Sequence, residues 1–371
     1  DLGLNRNVAG PADGEEWQVH GGGFYHIQKY MVAPEAMPER LTWFKWEAYS
    51  TWLSGFALLA VMYYAGAELY LVDREVLDIS AGTAVLISLA SLGLGWLLYD
   101  ALCKSALGAD QTRLMLVLFG VLVAMSWGYA QVFSGRAALL HLGAFTATIM
   151  SANVFFIIIP NQKVVVADLK AGRTPAAHLG AQAKQRSLHN NYLTLPVVFL
   201  MLSNHYPLAF ASDWNWLIAA LVFLMGVTIR HFFNTLHATG ARLWWTWGAT
   251  AMLFALIAGL SLVPRLSADE GADEGAAAGS DAGADFAAVE TAVLGRCSMC
   301  HAAEPYWEGV ARAPGGVVLE SRADILREAR AVYLQAAHTR AMPPGNVTYM
   351  EDAERAAIAR WYRALLEAEE G

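Results

Sequence analysis

Cys297-Ser298-Met299-Cys300-His301 sets two thiols three positions apart and places an imidazole directly after the second. That spacing is the attachment signature of a c-type haem. Two thioethers clamp the porphyrin edge, and His301 is then placed to coordinate the iron from one face. The other face calls for a second ligand, which in electron-transfer cytochromes c is usually methionine. Met342 lies in Ala341-Met342-Pro343-Pro344-Gly345, where two prolines stiffen the backbone around it. Met350, His338 and Met299 are the other donors nearby. A zinc half-site would use the same thiols. A structural zinc also needs a second ligand pair, and Cys103 is the only other cysteine. Cys103 reads as a small packing residue.

A second set of side chains can handle a planar anion. Arg230, Asn234 and His237 stand at i, i+4 and i+7, so one helix face carries all three. Arginine presents a fork of donors. Asparagine both donates and accepts, and histidine moves a proton near neutral pH. The plainer reading is that Arg230 snorkels to a membrane interface. His20 and His26 flank three glycines, which allow a backbone to approach a ligand closely. A flexible loop with ordinary histidines explains the same composition. His141 and His205 lie near the ends of apolar segments, where each either ligates a second, non-covalent haem or caps a helix. His189-Asn190-Asn191-Tyr192 opens another such segment, as a cap or as part of a polar site.

The elements that must position these groups are membrane helices. Of 371 residues, 56% are apolar and 16% charged, and the mean hydropathy is +0.35. That excludes an ordinary soluble protein. Residues 1–265 carry 16 basic and 15 acidic side chains, and residues 266–371 carry 9 and 18. A neutral membrane part therefore precedes an acidic tail, which gives no footing for nucleic acid. Seven apolar segments are expected to span, at 48–71, 82–102, 114–133, 137–160, 192–206, 214–233 and 243–263. Pro196 should kink the fifth. Twelve Lys and Arg side chains fall in the loops of one side and only Arg74 and Arg136 on the other. The first side is then cytoplasmic and the tail lies outside. The expected fold class is all-α: a polytopic transmembrane bundle over 1–264, a flexible acidic linker over 265–284, and a class I cytochrome c domain over 285–371.

Taken together, HGGGFYHIQKY (20–30), HNNYLTLPVVFLMLSNHYP (189–207) and CSMCH with the later AMPPGN (341–346) resemble the membrane-bound bacterial urate oxidases that carry a C-terminal cytochrome c. The resemblance covers nearly the whole chain and implies one further spanning helix ahead of Asp1. It implies oxidation and hydroxylation of urate to 5-hydroxyisourate. The electrons would leave through the haem to an external cytochrome c or terminal oxidase, not to oxygen as peroxide. The competing expectations are a membrane-anchored electron-transfer subunit without its own substrate and a transporter fused to a cytochrome. One difficulty is visible at once. About 30 Å of hydrocarbon separate the basic face from an external haem. Either urate binds near the outer face, or a second redox centre lies in the bundle.

Overall fold

The computed structural model describes residues 4, 5, 10, 12–30, 33–262 and 282–370. The first element is a departure from all-α. Two antiparallel strands, β1 (Gly14–His20) and β2 (Gly23–Lys29), are joined by Gly21 and Gly22. Both glycines have positive φ, as a two-residue hairpin turn requires. The glycine-rich stretch is therefore a tight turn between alternating strands, not an open loop.

The bundle follows. α1 (Trp46–Leu59) runs into a π-turn at Ala60–Tyr64, and the helix breaks at Gly66 before α2 (Ala67–Tyr70). α3 (Ala81–Lys104), α4 (Gln111–Ala130) and α5 (Gly135–Ala152) are capped at their starts by the side chains of Ser80, Asp110 and Ser134, which accept from backbone N–H groups. α5 continues through a π-turn at Asn153–Ile158 into α6 (Ile159–Lys170). α7 (Ala177–Leu202), the short α8 (Pro207–Phe210), α9 (Asn215–Thr239) and α10 (Trp245–Leu262) complete it. Leu139, Leu142, Phe145, Leu200 and Ile218 are buried between helices. Leu86, Leu94 and Leu116 stand 67%, 64% and 67% exposed, so the outside of the bundle is as apolar as its inside. Such a surface is compatible with insertion into a membrane.

Five helices are long and apolar enough to cross a membrane: Ala81–Lys104, Gln111–Ala130, Gly135–Lys170, Asn215–Thr239 and Trp245–Leu262. The expected spans at 48–71 and 192–206 are not among them. The first is interrupted at the π-turn and Gly66. The second belongs to α7, which starts fifteen residues earlier in a polar stretch. His189-Asn190-Asn191-Tyr192 consequently lies inside a helix and caps nothing. The 36-residue Gly135–Lys170 rod is about 54 Å long, well beyond the hydrocarbon thickness. Asn161 ties its far part to α7 by donating to Leu179 O and Gln182 Oε1. Pro196 does not break α7. Its ring lies against α9 at Gly226, where a Cβ would stand 2.6 Å from Pro196 Cγ and Cδ.

The tail has its own core. α11 (Ala282–Arg296) packs on α14 (Asp352–Glu370), with Phe286 and Trp361 rings 5.5 Å apart. Between them lie α12 (Arg322–Arg327) and α13 (Ala329–Val332), the latter continuing as a π-turn over Tyr333–His338. Most of the expected linker lies outside the described residues, and α11 is already helical at Ala282, ahead of position 285. The tail docks on one end of the bundle. Ala341 joins the bundle's buried cluster. Gly345, with positive φ, passes so close to Val72 O that a Cβ would meet it at 2.6 Å. Asn346 Nδ2 donates to Glu75 Oε1 at 2.5 Å. This docked end is the one whose loops hold only Arg74 and Arg136.

Candidate functional site

The end of α11 delivers the first thiol. Cys297 N donates to Val293 O, and Cys300 and His301 N donate back to Cys297 O. This tight turn sets both sulfurs and the imidazole along one cavity of about 450 Å³, with Met342 in its lining. His301 Nδ1 donates to Val317 O at 2.9 Å, which leaves Nε2 as the nitrogen available to a ligand. Met342 is held at both ends of its peptide unit: its N donates to Gln335 O, and its O accepts from Arg355 Nη1, each at 2.9 Å. Arg355 is buried and donates also to Ala336 O and to Asn346 Oδ1. Burial pushes the Cys297 thiol up to about 12, against the lowering pull of Arg355. Among the described residues no group of three or more His, Cys, Asp or Glu side chains could hold a metal. Thiols, one free imidazole nitrogen, a thioether and an apolar wall of Val317, Leu319 and Val332 fit a covalently held haem.

The bundle supplies the rest of that cavity through Leu69, Tyr70, Arg136, Asn204, His205 and Pro207. His205 is thus an exposed residue at the docked end. A second, polar cavity of about 370 Å³ adjoins it and shares Leu69, Tyr70, Arg136 and Pro344.

His141 is elsewhere. It is fully buried, its Nδ1 donates to Ala137 O at 2.8 Å, and Nε2 has no hydrogen-bond partner. The rings of Phe133, Tyr63 and Tyr129 stand 4.8, 5.7 and 6.0 Å from it. These aromatic rings surround His141 while its Nε2 stays unpartnered.

Arg230, Asn234 and His237 occupy the other end of the bundle. Asn234 Nδ2 donates to Asn191 Oδ1 at 2.9 Å. Arg230 Nε is buried without a hydrogen-bond partner. His237 rests against Phe233. The three share a face, but no hydrogen bond joins them among the described residues. His20 sits at the hairpin turn. His26 stacks on Trp17 at 4.2 Å and pairs with Glu15 at 2.8 Å. None of these contacts reaches α9.

The same end holds a network that sequence reasoning reached only through the polar-site reading of His189-Asn190-Asn191-Tyr192. Arg186, 2% exposed and inside α7, places Nη2 2.7 Å from Asp100 and its guanidinium 4.8 Å above the Tyr99 ring. Tyr99 OH hydrogen-bonds His189 Nδ1 at 2.8 Å and accepts from Asn153 Nδ2 at 3.0 Å. Gln111 closes the far side of His189. Read along the chain, Arg186 and Asp100 look like boundary residues reaching water. Only the early start of α7 turns Arg186 inward.

The model of the family described as Urate oxidase N-terminal matches residues 1–261, from the hairpin through α10. No curated protein and no solved structure matches the chain.

Proposed function

The chain belongs to the urate oxidase N-terminal family, and on that premise we propose that it is a membrane-bound urate oxidase whose electrons leave through its own haem c. One observation carries this reading. The bundle that matches the family and the CSMCH tail share a single cavity, so substrate chemistry and an electron outlet belong to one molecule. The overall change is urate plus water to 5-hydroxyisourate, with two electrons and two protons released. Haem c, when bound, would supply a one-electron acceptor. Cys297 and Cys300 would hold it covalently, and His301 and Met342 would be its ligands. Arg355 keeps the Met342 loop in place.

The bundle lies in the bacterial cytoplasmic membrane as a multi-pass protein. Loop charge puts the basic end in the cytoplasm and the tail on the periplasmic side. Respiratory acceptors, an external cytochrome c or a terminal oxidase, collect the electrons there. The test is turnover of the purified protein with urate and an artificial one-electron acceptor. Two acceptors should be reduced per urate. No turnover in fully haem-loaded protein would leave only an electron-transfer subunit.

A further inference from the structure

We infer that the substrate binds in the polar cavity between the bundle and the tail, with Arg136 as its anion-binding residue. The inference rests on the urate reading above.

Distance decides between the two ends. Asn234 lies nineteen residues along α9 from Asn215, so the basic-end cluster is about 28 Å from the docked end. An electron leaving there would cross almost the whole hydrocarbon layer. His141, the residue best placed to hold an intermediate carrier, is packed among Phe133, Tyr63 and Tyr129. The polar cavity poses no such gap. It shares Leu69, Tyr70, Arg136 and Pro344 with the cavity of Cys297, Cys300, His301 and Met342. Its volume of about 370 Å³ falls within the range of small-molecule pockets.

The lining supplies the chemistry. Arg136 stands in the first turn of α5, 4.9 Å above the Phe210 ring. Among the described residues, no carboxylate pairs with it and no acceptor hydrogen-bonds it. Arg136 is half-buried, and a bound anion would give its donors a charged acceptor. The α5 N-terminus beside it adds partial positive charge. Arg340 also faces the cavity, its Nε without a hydrogen-bond partner while Nη2 pairs with Asp352 at 2.7 Å. The acidic residues have defined places. Glu75 accepts from Asn346, and Asp73 accepts from the Glu75 N–H. Asp73 and Asp213 add acceptors to the lining. Urate is a flat monoanion with carbonyl oxygens and N–H groups around its edge. An arginine fork suits the oxygens, and carboxylates suit the N–H groups. The same carboxylates can take up the two protons that oxidation releases, while the two electrons leave singly through the shared wall and water supplies the hydroxyl.

The test uses the full-length, haem-loaded protein in detergent, with urate affinity measured by equilibrium dialysis. Arg136→Met should weaken urate binding about tenfold or more, since a charge-assisted hydrogen-bond partner is lost. Haem content and haem reduction by a neutral hydroquinone should be retained. Arg136→Lys should restore part of the affinity, which a folding defect would not allow. Wild-type affinity in Arg136→Met together with lost affinity in Arg230→Met would place the site at the basic end and overturn the inference. So would a shifted haem potential with unchanged urate affinity, since Arg136 would then serve the haem alone. Both results leave the urate reading intact. Wild-type protein that neither binds nor consumes urate removes that reading itself.

Discussion

Arg355 shows how much one side chain sets at the residue scale. Its guanidinium spans the carbonyls of Ala336 and Met342 and the side chain of Asn346, so it fixes the loop that carries the proposed sixth ligand. Replacing it with methionine leaves those buried acceptors short of donors, at roughly 1–3 kcal/mol each. Arg355→Met should lower the melting temperature of the tail and loosen Met342 from the iron, visible as loss of the thioether–iron absorption. Arg355→Lys should not rescue, because an ammonium lacks the planar fork. The thiols make a sharper test. The double variant of Cys297→Ala and Cys300→Ala should lose haem staining on a denaturing gel, and staining that survives would sink the covalent assignment. Met342→Ala should keep the haem attached but lower its potential. The grouping of Cys297, Cys300 and His301 along one cavity was legible because their spacing is local. Arg136 and Arg186 were not, because what defines them comes from other helices: Phe210 for one, Asp100 and Tyr99 for the other.

At the scale of elements, hydropathy located the bundle, but two of the expected spans do not stand out as long apolar helices, for separate reasons. Residues 48–71 are apolar throughout, yet Gly66 and the preceding π-turn divide them. Such a break leaves no mark on composition. α7 starts at Ala177 in a stretch rich in Gln, Lys and Arg, where polarity conceals a helix packed against α5, α6 and α9. The hairpin was hidden differently. Three successive glycines suggest looseness, whereas two of them make a turn and the third begins β2. Pro196 lies within a continuous α7, and Gly226 on the facing helix leaves room for its ring. Gly226→Ala should therefore force α7 and α9 apart. The contact at 2.6 Å calls for an overpacking cost of about 1–3 kcal/mol, read as a lower midpoint of thermal unfolding in detergent. An unchanged midpoint would mean that the helices separate freely there. The seam between α11 and α14 was legible, because Ile358, Trp361 and Tyr362 repeat at helical spacing.

For the whole molecule, Ala341, Gly345 and Asn346 dock the tail at the end of the bundle whose loops hold only Arg74 and Arg136. The tail's eighteen acidic and nine basic side chains from residue 266 onward suit a lysine-rich acceptor. Its reduction of an external basic cytochrome should slow as salt rises, through screening over about 10 Å at 0.1 M. A salt-independent rate would point to a different partner. Docking also constrains the chemistry. A haem held by Cys297 and Cys300 would stand in a cavity that Tyr70 and Arg136 help to wall, with His301 and Met342 on the iron. With no open axial position it would pass electrons on and leave oxygen alone. Urate should accordingly reduce the haem under anaerobic conditions, two haems per urate, and aerobic turnover should release no stoichiometric peroxide. Removing residues 285–371 should stop sustained turnover until a soluble acceptor is added. The measurement is an anaerobic titration with urate followed in the haem absorption band. A band that stays still while urate disappears in air with peroxide release would show that the electrons take another route.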